Sequence, residues 1–262
     1  MGDLVGARVE VDGRATTVDR LHAVAVGGYG HFTAMQVRGG RVRGLADHLR
    51  RLDAANRELF GSALDGDLVR RYIRHALADD VLDASVRVHV FAADEDGAVA
   101  VLVTVRPPGD MSGAPQALRS VPYLRSVAHI KRVGDFGQAH YRRLVAREGF
   151  DEALLTGPDG VVAEGAITNI VFHDGTSLVW PNAPVLEGIT MQLLERALST
   201  GPLPSRRGPV HLSEVGSFRA AFVTNSRGIA PVRLIDDVRI PVDTALTATL
   251  AELYGSVGWD RI

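Results

Sequence analysis

The 262 residues predict a mixed chain of strands and helices, α/β or α+β in class, on three observations. Val86, Val88 and Val90 alternate with Arg87 and His89, and the nearly continuous apolar run Ala98 to Val105 suits a buried strand. Leu45, Leu49, Leu52 and Leu59 recur at helical spacing through Leu45 to Phe60. Strand and helix signals are interleaved along the chain, with no internal repeat and no low-complexity tract, which excludes a solenoid or a linker protein.

Taken in order, Val9 to Val11 and Val24 to Val26 read as short strands, and Gly27 to Phe32 as a tight turn into a further strand. Gln36 to Arg38 and Arg41 to Arg43 flank Gly39-Gly40, a two-residue connection in which both positions can take positive φ, so a hairpin is expected. The leucine stripe from Leu45 to Phe60 and a second helix near Asp67 to Ala78 follow. Arg106 to Pro115 holds three prolines and two glycines, the densest breaker cluster, and a domain boundary is placed there. Beyond it Gln116 to Tyr123 and Val127 to Ile130 read as extended, and Tyr141, Leu144 and Val145 mark a helix stopping at Gly149. Strands at Ala153 to Thr156 and Val161 to Glu164 flank the turn Gly157-Pro158-Asp159-Gly160, and a pair at Ile170 to His173 and Ser177 to Trp180 flanks Asp174-Gly175. Helices at Thr190 to Leu198 and Ala245 to Tyr254, with a buried strand at Ala220 to Thr224 between them, complete the reading.

Composition narrows the function. With 46% hydrophobic and 23% charged residues the chain is ordinary globular material, and a net charge of -2 supplies no field for nucleic acid or an anionic membrane. Zero cysteines exclude disulfides, thiolate metal sites and cysteine nucleophiles. Nine histidines with no i, i+4 pair give no reason to expect a metal. The stretch Met1 to Gly13 lacks the apolar core of a signal peptide and no segment has transmembrane length, so a cytoplasmic location is expected.

The basic residues are the anomaly. Of 29, 28 are arginine and one is Lys131. A guanidinium cannot lose its proton near neutral pH and attack a carbonyl, whereas a tuned lysine amine can, so Lys131 is a candidate Schiff-base lysine. On composition alone, chance survival of one lysine is an equally good account; the residues downstream decide.

Those residues carry a resemblance. Val162-Ala163-Glu164-Gly165-Ala166-Ile167-Thr168-Asn169-Ile170-Val171-Phe172 resembles the central signature of the class IV, or fold type IV, pyridoxal-phosphate enzymes, which include branched-chain aminotransferases, D-amino acid aminotransferases and aminodeoxychorismate lyases. It stands in family order with His48-Leu49-Arg50-Arg51-Leu52, Lys131, Leu186-Glu187-Gly188-Ile189-Thr190, and Asn225-Ser226 followed by Ala230-Pro231-Val232. The resemblance implies a two-domain fold, with a smaller N-terminal α/β domain over 1–107, a linker over 108–115 and a larger cofactor-binding domain over 116–262. It implies pyridoxal 5'-phosphate as cofactor, a homodimer, and amino acids and oxo acids as small-molecule substrates. Lys131 would hold the cofactor and move the substrate Cα proton, and Glu164 would keep the pyridine nitrogen protonated. Arg51, rather than its surface neighbour Arg50, would bind the phosphate with the helix start at Gly188, Ile189 and Thr190. Asn225 and Ser226 would complete the cup, with Asn169 a structural residue nearby.

Three departures bear on substrate. Phe136 stands where branched-chain members carry a tyrosine, Thr33 replaces a common glutamate, and Glu187 replaces a frequent proline. Tyr29, Phe32 and Phe136 are candidate pocket residues. The leading expectation is an aminotransferase; a lyase releasing pyruvate is the second, and a non-catalytic cofactor-binding protein the third.

Overall fold

The computed structural model describes residues 8–78, 80–93, 98–201 and 203–262; of the N-terminal stretch read for a signal peptide, residues 1–7 lie outside them. The chain divides into two compact units. The first comprises Met1–Gly109, Ile130–Gly134 and Gly258–Ile262, and the second Asp110–His129 and Asp135–Val257.

In the first unit the order is β1 (Arg8–Val11), β2 (Arg14–Ala15), α1 (Val18–Gly27), β3 (Gly30–Val37), β4 (Arg41–Arg43), α2 (Leu45–Phe60), α3 (Gly66–Leu77), β5 (Ala84–Ala92) and β6 (Val99–Arg106). Five strands form an antiparallel sheet, β2-β1-β6-β5-β3, with β3 at one edge. The valine alternation in β5 has the cause read from the sequence. Val86, Val88 and Val90 are fully buried and pack with Leu45 and Leu52 of α2 and with Val69, Ile73, Ala76 and Leu77 of α3. A fully buried side chain such as Leu52 or Ile73 contributes about 1.5–3 kcal/mol of transfer free energy. The glycine hairpin also forms: Gly39 and Gly40 have φ of 55° and 69°, and Arg38 and Arg41 exchange backbone hydrogen bonds of 2.9 and 3.1 Å.

The second unit continues with β7 (Gln116–Pro122), α4 (Phe136–Arg147), β8 (Glu152–Thr156), β9 (Val162–Gly165), β10 (Asn169–His173), β11 (Leu178–Pro181), α5 (Ile189–Leu198) and β12 (Ser205–Gly208). A 3-10 turn at Leu212–Ser217, β13 (Ala220–Asn225), β14 (Gly228–Ile235), β15 (Val238–Arg239) and α6 (Thr244–Ser256) complete it. The sheet runs β12-β11-β10-β13-β14-β7-β8-β9, with β15 added to β14. Three of its pairings are parallel, β11 with β12, β14 with β7 and β7 with β8. The parallel pair β7 and β8 is joined through α4, the kind of crossover that parallel neighbours need. Met191, Leu194 and Leu198 of α5 and Leu250 of α6 bury Trp180 and Phe222, while Val145 of α4 packs on Val121, Ala153 and Leu155. The last strand, β16 (Trp259–Arg261), belongs to the first unit and pairs with β4. No helix among the described residues is long and apolar enough to cross a membrane.

Three element readings are corrected. Val24 to Val26 is not a strand but the end of α1, where Leu21 and Val24, at i, i+3 spacing, pack against Val11, Phe91, Ala100 and Leu102. Three residues are too few to separate a period of 2 from one of 3.6. Val127 to Ile130 is a turn rather than an extended segment. Val127 takes φ of 51°, a costly value for a β-branched residue, and the turn closes where Arg125 Nη1 donates to the Ala128 carbonyl at 2.8 Å. The helix read from Tyr141 begins earlier, at Phe136, capped by Asp135. Its first turn has no apolar stripe, since Phe136 is exposed, so periodicity does not find it.

Candidate functional site

Lys131 is placed by the backbone of the first unit. The segment around it lies along the open edge of β3: Phe32 donates its backbone N–H to the Lys131 carbonyl at 2.8 Å, Val133 donates to Gly30 at 3.0 Å, and His31 bridges Arg132 in antiparallel fashion. An edge strand offers unpaired backbone groups, and here they fix the lysine. The Lys131 ammonium sits 4.8 Å from the centre of the Phe32 ring, which also stacks on His89 at 5.1 Å and has the Arg87 guanidinium at 5.9 Å.

Arg51 belongs to the same unit. Leu52, its neighbour on α2, is fully buried, and Arg51 turns its guanidinium toward β3, where Nη2 donates to Thr33 Oγ1. Thr33 Oγ1 is also 2.6 Å from His48 Nδ1. His48 is buried, which drives its pKa well below the usual imidazole value, and the Arg51 and Lys131 cations push it further in the same direction. Burial lowers Arg51 itself to about 10 against the opposing field of Asp47, so the group stays cationic at neutral pH. Its Nε is shut off from solvent with no hydrogen-bond partner, and no carboxylate pairs with it among the described residues. Arg50, by contrast, has a 65% exposed side chain and pairs with Asp47. Tyr29 is exposed, edge-on to Phe60 at 5.7 Å, and its hydroxyl donates to the Leu59 carbonyl.

The second unit assembles the other candidates. Glu164, at the end of β9, is buried. Its Oε1 accepts from Arg125 Nη1 at 3.2 Å and its Oε2 from the Leu186 backbone N–H at 3.2 Å. Arg125 is itself buried, and its Nε donates to Asp135 at 3.2 Å, so one guanidinium serves two carboxylates. Tyr123 donates its hydroxyl to the same Asp135. Asn169, opening β10, donates to the Leu186 carbonyl at 2.7 Å, which ties the loop before α5 to the sheet. A Cβ on Gly188 would collide with Asn169 Oδ1, so glycine is what lets the chain reach the α5 start this closely. Ile189 and Thr190 follow as the first buried residues of α5. The Thr190 hydroxyl donates to the Asn225 carbonyl at 2.7 Å and joins the α5 start to the end of β13. Asn225 Nδ2 donates to Ile167, and its Oδ1 accepts from the Arg227 backbone in the turn that contains Ser226. Phe136 is 79% exposed and stacks on His140 at 5.6 Å.

Within the first unit, then, Lys131 lies over Phe32 and shares the surroundings of His48 with Arg51, and within the second Glu164, Asn169, Gly188, Ile189, Thr190, Asn225 and Ser226 form one hydrogen-bonded neighbourhood. Arg125 is not foreseeable from the sequence, because one arginine among 28 carries no local signal. Thr33 stands out there only as a departure, and His48 only as part of a motif.

Residues 30–235 match the family model described as Amino-transferase class IV. No curated protein sequence matches the chain. Among solved structures, a PLP-bound hypothetical aminotransferase from Mycobacterium tuberculosis is similar with TM-score 0.83 at 20% identity, over 96% of this chain and 98% of that one. A putative 4-amino-4-deoxychorismate lyase from Legionella pneumophila gives 0.82 at 20% identity, over 89% and 93%. A fold IV transaminase from Curtobacterium pusillum gives 0.79 at 22%, over 88% of each chain.

Proposed function

Because the chain belongs to the class IV aminotransferase family, we propose that it is a pyridoxal-phosphate enzyme that moves an amino group between an amino acid and a 2-oxo acid. The observation that carries the proposal is the fixing of the sole lysine on the edge of β3, in the unit where Arg51 keeps a cationic guanidinium with an unpartnered, buried Nε. The residues fit the cofactor. Arg51 matches a dianionic phosphate, and Glu164, a buried carboxyl oriented by Arg125, suits a protonated ring nitrogen. The M. tuberculosis neighbour binds PLP, which supports the same choice.

When bound, pyridoxal phosphate supplies a carbonyl that condenses with amines and a ring that withdraws electrons. Lys131 Nζ would be the amine that holds the cofactor, and the same amine would move the substrate Cα proton. Glu164, oriented by Arg125 and the Leu186 amide, would face the ring nitrogen and keep it protonated. Arg51 would bind the phosphate, and the backbone amides at the start of α5, where the helix dipole favours an anion, are the phosphate donors proposed for the second unit. Thr190 has one hydroxyl hydrogen, and in this structure it serves Asn225; the constant contribution of Thr190 is therefore its amide. Asn225 and Ser226 would complete the phosphate cup, and Asn169 holds the α5 loop in place. Tyr29, Phe32 and Phe136 are the proposed pocket residues. The proposed assembly is a homodimer, and the absence of cysteine is compatible with a cytoplasmic location.

The test is turnover: the protein loaded with PLP is given paired amino and 2-oxo acids of both stereochemical series, and the new amino acid is quantified. Stoichiometric transfer from one donor is the expected result. The second reading, a lyase, is favoured by Phe136, which has no hydroxyl to offer, and by the Legionella neighbour. Pyruvate release from aminodeoxychorismate without any amino acceptor, with no transfer in the panel, would replace the first reading by the second.

A further inference from the structure

We propose that Thr33 is a positioning residue which, through a hydrogen-bonded chain from His48 to Thr33 to Arg51, aims the Arg51 guanidinium at the cofactor phosphate without quenching its charge. The inference rests on the reading of Arg51 as the phosphate ligand.

The direction of the chain follows from the donor inventory. A guanidinium only donates, so Thr33 Oγ1 must accept from Arg51 Nη2. Burial and the two neighbouring cations, Arg51 and Lys131, keep His48 neutral. We assign the one hydroxyl hydrogen to His48 Nδ1, 2.6 Å away, which makes His48 an acceptor there with its own hydrogen on Nε2. Thr33 is fully buried on β3, and its branched Cβ restricts χ1, so the hydroxyl is held from both ends. Among the described residues Thr33 Oγ1 is the hydrogen-bond acceptor of the Arg51 guanidinium, and Nε has no partner. A carboxylate at position 33 would orient the same group and neutralise it. A hydroxyl orients it and leaves the full positive charge for a dianion.

The apoprotein is titrated with pyridoxal phosphate and, separately, with pyridoxal, which lacks the phosphate, following protein fluorescence. Thr33→Val keeps the shape and removes the relay; its affinity for pyridoxal phosphate should fall about tenfold or more, with the affinity for pyridoxal unchanged. Thr33→Ser restores the hydroxyl and should recover most of the loss. On an Arg51→Ala background, Thr33→Val should cost nothing further. If Thr33→Val does not fold, the same titrations of His48→Asn, whose amide oxygen replaces the Nδ1 acceptor, and of His48→Leu, which has none, make the comparison. Retention by the first and loss by the second is expected. Equal weakening toward both ligands, or no weakening, would overturn the role of Thr33. Failure of the wild-type protein to bind pyridoxal phosphate would instead overturn the reading of Arg51 on which it rests.

Discussion

A guanidinium shared by two carboxylates is a costly arrangement to bury, and all three side chains, Arg125, Glu164 and Asp135, are shut off from water. Arg125→Met would take the shared guanidinium away from two buried carboxylates and should lower the unfolding free energy at pH 7 by about 3–5 kcal/mol, read from urea denaturation. A loss below 1 kcal/mol would show that the cluster is already well solvated. Glu152 presents the opposite case. It is a buried carboxyl with Arg142 no nearer than 3.9 Å, and burial pushes it up to about 7. The sign follows from proton counting. Between pH 4.5 and 7 the folded state holds a proton that the unfolded state has released, so stability is lost as pH rises through that window. The shift amounts to about 3 kcal/mol. Glu152→Gln should therefore be more stable than the wild type at pH 8, with a smaller difference between pH 5 and pH 8 in paired denaturation curves. An unchanged pH dependence would refute the assignment. Neither arrangement is legible in the sequence: Arg125 and Glu152 look like dozens of other charged residues until the fold buries them. Lys131 is legible, because its scarcity is a property of composition.

At the scale of elements, what decides legibility is the length of the periodic signal. The 16-residue α2 and the eight residues of β6 each offer several turns or alternations, and both are readable to within a residue of their bounds. The three-residue pattern Val24 to Val26 cannot be separated from the end of a helix, and the first turn of α4 hides behind an exposed Phe136. The turn at residues 126–129 depends on a bond from a buried arginine that is not visible locally. Gly188 is the element-scale counterpart of these long-range effects. Its lack of a side chain lets Asn169 hold the loop before α5. Gly188→Ala should displace Asn169 and weaken pyridoxal phosphate binding about tenfold, with a loss of about 1–3 kcal/mol in stability. Isothermal titration and thermal melting of the same variant read both; wild-type affinity would show that the α5 start does not depend on this contact.

For the molecule as a whole, the fold class is readable because strand and helix signals alternate throughout, and the family because five motifs stand in order over most of the chain. Which sequence-distant segments gather into each unit is not readable. Ile130–Gly134 and Gly258–Ile262 join the first unit by pairing with β3 and β4, and edge pairing leaves no mark in a short segment. The central claim remains the covalent role of one amine. The chain offers a direct test, since Lys131 is its only lysine. The protein is mixed with pyridoxal phosphate, reduced with borohydride, digested and mapped by mass spectrometry. One phosphopyridoxyl group per chain on the peptide containing Lys131 is the expected result, with none in Lys131→Ala. Label confined to the N-terminal amine, or an unlabelled Lys131 peptide, would contradict it.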